Sequence, residues 1–210
     1  MLRWLKRAFR RKKPDPGPTY PFPDSAIAHR YLDGKRGIEI GASAHNPFNI
    51  EGTTFVDFTD STDTSFKQDE LEHVGMTQRV DVVAMAWDLP FEDGSQQFVL
   101  SSHVIEHCFD LIGTIEEWFR VLEPKGIVFM IIPHMDRTFD KDETPTPVEE
   151  LVARRAGLRE MTRPPTDHHS FFRTEDFLAL CAHQGWTVLE SQDVDDKVGN
   201  GFTIVLEKPA

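Results

Sequence analysis

The stretch that most constrains the fold is residues 101–134, where an amphipathic helical pattern lies between two apolar runs. The runs VLSSHV and GIVFMIIP are continuous enough to be strands buried in a parallel sheet. Between them, apolar residues recur at helical spacing over residues 112–122, and Pro-Lys-Gly at 124–126 ends the helix. This order of strand, helix and strand predicts one unit of an open α/β sheet.

Each of these two strands ends at a histidine, His103 in the first and His134 in the second. Ligands of open α/β sheets bind beyond the carboxyl ends of the strands. The sequence therefore predicts a ligand site at the edge of the sheet where both histidines lie.

The rest of the chain continues the alternation and predicts a doubly wound, mostly parallel sheet. Strands are predicted at residues 37–40, 54–58, 80–86, 98–103, 127–133, 186–190 and 202–206. Helices are predicted at residues 24–34, 65–73, 110–122, 147–160 and 174–185, the second of them on the surface and the last capped by Thr174. Residues 135–173 interrupt the alternation, and a connection of this length is expected to be a lid or binding element over the site.

Length and composition predict one domain. The chain has 210 residues, of which 39% are hydrophobic, enough for a proper core. The sequence contains no run of 18 apolar residues and no apolar signal-peptide core, which predicts a cytoplasmic protein. Cys108 and Cys181 lie in apolar helical patterns and are expected to be buried free thiols.

Charge separates the first residues from the rest. Residues 1–13 hold seven basic residues and no acidic one, although the formal net charge of the chain is −12. The acidic body argues against nucleic-acid binding, because it would repel phosphate. The basic segment has two open interpretations: a solvated tail, or a peripheral contact with the anionic inner face of a membrane. Prolines in residues 14–23 are expected to detach it, so the predicted units are 1–23 and 24–210.

The segment that predicts the fold also carries a family resemblance. Ser101-Ser102-His103-Val104-Ile105-Glu106-His107 is followed by Glu117 and by Arg120-Val121-Leu122-Glu123-Pro124-Lys125-Gly126. This pattern resembles the core of class I S-adenosylmethionine (SAM) methyltransferases, with Lys125 in place of the first of two glycines. The resemblance implies a Rossmann-like sheet of seven strands with an antiparallel last strand, and SAM as the cofactor.

The resemblance also implies the cofactor residues. Small residues after the first strand pass close to the methionine part, although Ser43 and His45 stand where the family has glycines. Asp57 ends the second strand, where the ribose-binding acid is expected, and Asp60 is the alternative. The segment from Ala86 corresponds to the adenine slot. The residues expected to bind SAM are Glu39, Gly41, Ala42, Ser43, Asp57, Ala86, Trp87, Leu89, Ser102 and His103.

Methyl transfer to an alcohol also requires a proton acceptor, and a histidine of near-neutral pKa or a metal-bound hydroxyl meets that need. The candidate catalytic residues are His134, His103, His168 and His169. His107 is expected to be partly structural. A set of mixed ligands, Asp136, Asp140, His134 and His169, is either a site for Mg or another divalent cation or a group of solvated loops.

The segments IPHMDRTFDKDETPTP and DHHSFF resemble small methyltransferases of bacterial glycan-assembly clusters, including the family that methylates mannose units of mycobacterial polysaccharides. This predicts O-methylation of a sugar or oligosaccharide hydroxyl, with Phe139, Phe171 and Phe172 either stacking on the pyranose ring or packing within the lid. Two alternatives stay open: an N- or C-methyltransferase of a small metabolite, and a degenerate SAM-binding regulatory module. A homodimer is a further expectation.

Overall fold

A single seven-stranded sheet forms the centre of the protein, in a computed structural model that describes residues 19–164 and 166–209. The strands are β1 Gly37–Ile40, β2 Thr53–Asp57, β3 Val82–Val83, β4 Gln96–Ser102, β5 Leu122–Pro133, β6 Thr187–Gln192 and β7 Gly201–Glu207. Their order across the sheet is β3-β2-β1-β4-β5-β7-β6. β7 is antiparallel to its neighbours β5 and β6, and the other pairs are parallel. The predicted Rossmann-like fold is confirmed.

Helices cover both faces of the sheet. They are α1 Ala26–Leu32, α2 Ser65–Val74, α3 Leu111–Val121, α4 Val148–Arg155 and α5 Thr174–Gln184, with short 3-10 turns at Ile105–His107, Met135–Arg137 and Phe139–Asp142. Alternate residues of β5 face opposite sides, as the period of a strand requires. Met130 packs in the core with α3 and α5, whereas Phe129 packs in the core with α1. Each face therefore has its own apolar layer.

Several element boundaries differ from the sequence prediction, most clearly in β3, α3, α4 and α5. β3 has two residues instead of seven, and Val83 is largely exposed because this strand lies at the sheet edge. α3 ends at Val121, and the Pro-Lys-Gly segment at 124–126, which was expected to end the helix, lies inside β5 instead. Lys125 in this segment has a positive φ of 65°. α4 ends at Arg155. Thr174 begins α5 and does not cap it, because the Asp176 side chain accepts from the Arg173 amide.

The expected detachment of the N-terminal linker is wrong for its last residues. The Phe22 amide donates to the His45 carbonyl at 3.0 Å, and the Tyr20 ring lies 4.5 Å from the His73 ring. Lys197 Nζ donates to the Pro23 carbonyl at 2.9 Å. The predicted amphipathic segment, residues 1–13, lies outside the described residues. Among the residues that the structure describes, no helix is long and apolar enough to cross a bilayer.

The carboxyl ends of the central strands meet around Gly41. Its amide donates to the Val56 carbonyl at 2.9 Å, which joins the ends of β1 and β2. A Cβ atom added to Gly41 would lie 2.6 Å from Cγ2 of Val104, just beyond β4. Gly41 also has a φ of 69°, which only glycine adopts without cost. A glycine is therefore required where the three strand ends converge.

Replacing Gly41 by alanine tests this convergence. We expect Gly41→Ala to lower the free energy of unfolding by about 2–4 kcal/mol, from backbone strain and overpacking together. Gly34→Ala is the matched control, since Gly34 has a φ of 75° but nothing within 4 Å of the added Cβ. It should cost only about 1 kcal/mol. Urea unfolding measures both, and equal losses would contradict the close approach of the strand ends.

Candidate active site

The sheet edge at which the strands end carries the residues predicted to bind the cofactor. Ala42 and Ser43 follow Gly41 on the loop after β1, and Asp57 is the last residue of β2. On the same loop, Asn46 Nδ2 donates to Ser102 Oγ at 3.2 Å, which ties the loop to the end of β4. The structure thus brings the ends of β1, β2 and β4 together, as the sequence predicted.

A buried lysine that the sequence analysis did not consider occupies the centre of this edge. Lys67 is only 4% exposed, and its Nζ donates to the Ala42 carbonyl at 3.3 Å. The same Nζ lies 2.7 Å from Oε1 of Glu70 and 3.5 Å from Oδ2 of Asp57. The expectation that α2 is a surface helix is therefore wrong on the face that holds Lys67 and Glu70.

Asp57 keeps the position expected for the ribose-binding acid. Its Oδ1 accepts from the Phe58 amide at 2.7 Å, and its Oδ2 faces Lys67. Burial raises the pKa of Asp57, and the Lys67 charge opposes that shift. The alternative residue, Asp60, is exposed. Of the two carboxylates, Asp57 is the one that lies at the convergence of the strands.

Two motif residues of α3 hold the segment predicted to border adenine. Glu117 Oε1 accepts from the Leu89 amide at 2.9 Å, and Arg120 Nη2 donates to the Leu89 carbonyl at 3.0 Å. Trp118 Nε1 donates to the Ala86 carbonyl at 2.8 Å. Ala86 and Leu89 are buried, whereas Trp87 is 48% exposed. The Glu-x-x-Arg spacing thus positions the backbone of this segment.

Trp87 opens onto a cleft that also borders His107, in the 3-10 turn that follows β4. The cleft has a volume of about 600 Å³. Its wall includes Trp87, His107, Phe109, Asp110 and Met161. An exposed indole on one side and a polar turn on the other are what a flat aromatic ligand requires.

Glu39, on the other side of the site, is buried within β1. Burial raises its pKa to about 8, and the Lys197 charge opposes this. Glu39 and Ser43 line a small cavity of about 70 Å³. Ser43 Oγ and His45 Nδ1 form a hydrogen bond of 2.8 Å, so the two residues that replace family glycines bind each other.

A cluster of imidazole and carboxylate groups surrounds the turn after β4. Glu106 is fully buried, and neither of its carboxylate oxygens has a hydrogen-bond partner. Its Oε1 lies 3.9 Å from His103 Nδ1 and 3.9 Å from His168 Nε2. The rings of His107 and His168 are 4.6 Å apart. Five polar groups, including Asp140 beside His168, are thus brought together at this end of the sheet.

Burial dominates the electrostatics of this cluster. It raises the pKa of Glu106 to about 8, and it lowers the pKa of His103 and of His107 to about 4. The insertion closes over the cluster through its backbone, because the His169 amide donates to the Glu106 carbonyl at 2.8 Å. Residues of the predicted lid therefore cover Glu106, whereas His103 and His107 stay partly exposed.

His134 and His169 lie apart from this cluster. His134 Nδ1 accepts from the Asp136 amide at 3.3 Å and so caps the following 3-10 turn. The His169 ring packs edge-on against Phe109, with centroids 5.7 Å apart. Burial lowers the pKa of both histidines. Of the four candidate catalytic histidines, the structure brings together His103 and His168.

The predicted metal set of Asp136, Asp140, His134 and His169 is wrong as a single site. The Asp136 carboxylate accepts from Arg173 Nε at 2.8 Å, and the Asp140 carboxylate accepts from His168 Nδ1 at 2.8 Å. Each carboxylate has a different partner on a different part of the insertion, so the four side chains do not converge.

The three phenylalanines expected to stack on a sugar differ in exposure. Phe171 and Phe172 are buried in the core, so their predicted role is wrong. Phe139 is 81% exposed, and its ring lies 5.0 Å from the His168 ring. One aromatic face therefore remains open beside the polar cluster.

The comparisons with known proteins agree with this geometry. A family model described as a methyltransferase domain matches residues 2–191. The chain belongs to the methyltransferase-domain family. It is 38% identical over 76 residues to ajmaline N-methyltransferase from Rauvolfia serpentina, a match that covers 36% of this chain and 26% of that relative. The chain thus spans about a quarter of the length of the curated relative it matches.

Solved structures show the same fold at low sequence identity. The [4+2]-cyclase SpnF has a TM-score of 0.54 and 16% identity, with 88% of this chain and 79% of that chain covered. A possible histamine N-methyltransferase from Thermotoga maritima has a TM-score of 0.50 and 18% identity, with 87% and 92% covered. These matches show the fold, and the family model shows the methyltransferase-domain family.

The sequence analysis missed the two acids that matter most to the electrostatics of the site. Glu70 lies on a helix of low apolar content, and no pattern marks it as buried. Glu106 was noted only as half of the Glu-His pair of the family motif. That pair was the available signal, because a motif acid placed directly after a buried strand must lie at the ligand edge.

Removing the Lys67 charge tests the buried ion pairs. We expect Lys67→Met to lower the free energy of unfolding by about 3–5 kcal/mol, because Glu70 and Asp57 would keep uncompensated charge. Lys67→Met with Glu70→Gln should recover part of that loss. Arg79→Met is the control, since its pair with Asp81 is exposed and should contribute about 0–1 kcal/mol. Thermal unfolding would contradict the account if Lys67→Met matched Arg79→Met.

Proposed function

We propose that this chain is a SAM-dependent O-methyltransferase that methylates a hydroxyl group of a sugar or glycan. The observation that carries the proposal is the polar cluster around Glu106, which lies directly after β4 at the edge where the cofactor residues meet. A site for methyl transfer to an alcohol needs a methyl donor and a proton acceptor side by side. The ends of β1, β2 and β4 provide these two halves at one place.

The residues at the strand ends fit SAM, which supplies an electrophilic methyl group when bound. Gly41 and Ala42 allow the backbone to pass close to a ligand, and the Asp57 carboxylate suits the ribose hydroxyls. The exposed face of Trp87 suits adenine. Lys67 already contacts Asp57, so ribose binding requires Asp57 to share its oxygens or Lys67 to move.

His103 is the proposed base for the acceptor hydroxyl. It is the first residue after β4, has a φ of 55°, and its ring is partly exposed. Its Nε2 has no hydrogen-bond partner. This Nε2 atom is buried, and burial lowers the pKa of His103 to about 4, so the imidazole is neutral and accepts a proton only when the acceptor hydroxyl reaches this nitrogen.

A sugar acceptor fits the surroundings of the cluster. Phe139 is exposed beside His168, and Phe66 is 45% exposed with its ring 6.2 Å from His107. Exposed aromatic faces that flank polar groups suit a ring with one apolar side and several hydroxyls. The resemblance of the insertion to methyltransferases of bacterial glycan clusters supports the same acceptor class.

Two other functions each have one observation in their favour. N-methylation of a small metabolite is favoured by the match to ajmaline N-methyltransferase, which covers 76 residues. A regulatory SAM-binding module is favoured by Lys67, whose contact with Asp57 competes for the ribose-binding acid. The proposal also includes a cytoplasmic location with a peripheral contact between residues 1–13 and the inner face of the membrane, supported by the seven basic residues there.

A transfer assay with radiolabelled SAM tests the proposal. We expect label on mono- or oligosaccharides and none on amines of similar size. His103→Ala should lower kcat by about 10²–10⁴-fold, the usual worth of a positioned base, while KM for SAM changes little. His29→Ala is the control, because His29 is remote and pairs with Asp33 on the surface. Label on amines only, or equal rates for both variants, would contradict the proposal.

A further inference from the structure

We infer that Glu106, His107 and His168 bind a divalent cation. One ligand atom from each of these residues lies within 4.8 Å of the other two. Across residues 19–164 and 166–209, this is the only group of three or more histidine, cysteine or acidic side chains arranged in this way. The site is different from the metal set that the sequence predicted.

The strongest support is the Glu106 carboxylate. It is completely buried, and both of its oxygens lack a hydrogen-bond partner. Buried carboxylates are normally hydrogen-bonded, ion-paired or bound to a metal, because an isolated buried charge costs several kcal/mol. No lysine or arginine forms an ion pair with Glu106 in the described part of the chain. A cation between Glu106 and the two histidines would compensate its charge.

The two histidines are oriented as metal ligands. His168 Nδ1 donates to the Asp140 carboxylate at 2.8 Å, and His107 Nδ1 donates to the Asp167 carbonyl at 3.2 Å. When Nδ1 donates its proton in this way, a neutral imidazole keeps a lone pair on Nε2. His168 Nε2 is the atom that lies 3.9 Å from Glu106. Imidazoles that bind metals usually donate their other ring N–H to an oxygen acceptor, which holds the ring in orientation, and both histidines do so here.

The ligand set indicates the class of cation. Two imidazoles and one carboxylate suit zinc, manganese or iron(II), whereas magnesium prefers oxygen ligands throughout. Ligand atoms lie about 2.0–2.2 Å from zinc, so two of them on one ion are at most about 4.4 Å apart. Side chains whose ligand atoms lie within 4.8 Å of each other therefore need only small movements to close on an ion.

Three protein ligands leave at least one coordination position free. His107 also lines the cleft that contains Trp87, which is large enough for a ligand. If the proposed function holds, an ion held by these residues would make a nearby acceptor hydroxyl more acidic and so assist its deprotonation by His103. Cation binding itself does not rest on the identity of the acceptor.

Calorimetry with zinc and manganese tests the site in the full chain, after removal of any affinity tag and treatment with a chelator. We expect one ion per chain for the wild type. His168→Ala and Glu106→Gln should weaken binding by at least tenfold, and Asp140→Asn by about 10–100-fold through the orientation of His168. His134→Ala and Asp136→Asn, from the set rejected above, should bind the ion like the wild type.

Two results would overturn the inference. One is a wild-type chain that binds no stoichiometric ion, which would mean that Glu106 is a protonated acid in an ion-free cluster. The other is an ion affinity that is unchanged in His168→Ala and Asp140→Asn. Both variants retain Glu106, so this result can be interpreted even if Glu106→Gln does not fold. Because binding is measured without an acceptor, methyl transfer without ion binding would reject the cation and leave the proposed function standing.

Discussion

The close approach of three strand ends is the constraint on which the site depends. Gly41 lies between β2 and the turn after β4, and a side chain at that position would meet Val104. The approach brings the loop after β1, the carboxylate of Asp57 and the histidine turn to one edge of the sheet. In a parallel sheet the strand ends already lie at the same edge. Because Gly41 has no Cβ, these ends can also come into contact.

Buried charge is concentrated at this edge, in two groups that are balanced differently. Lys67 lies between two carboxylates, so its group contains a cation that offsets one of the two negative charges. The group around Glu106 has an acid without a hydrogen-bond partner and imidazoles that burial keeps neutral. The first group stabilises the end of β2 against α2, whereas the second lacks a positive charge. This difference makes Lys67 and Glu70 structural supports of Asp57, and it makes the second group a candidate for ligand chemistry.

Much of the fold was predictable because apolar runs and turn residues are local signals. Both ends of β1 were predicted correctly. The order of the elements followed from the alternation of helical and strand hydrophobic patterns along the chain. Of the site, the sequence located Gly41, Asp57 and His103 at the strand ends. It did not locate Lys67, since burial of a polar helix face depends on contacts distant in sequence. Its predicted metal set does not converge, because the partners of Asp136 and Asp140 are set by how the insertion folds.

The most direct test of a shared cofactor edge is calorimetry with S-adenosylhomocysteine, the demethylated product, which binds without turnover. The account predicts one site per chain and at least a tenfold loss of affinity in Asp57→Ala, since a hydrogen bond to a charged group contributes about 1.5–3 kcal/mol. Asp60→Ala, at an exposed position three residues away, should bind like the wild type. Absence of binding to the wild type, or equal affinity of the two variants, would contradict the account.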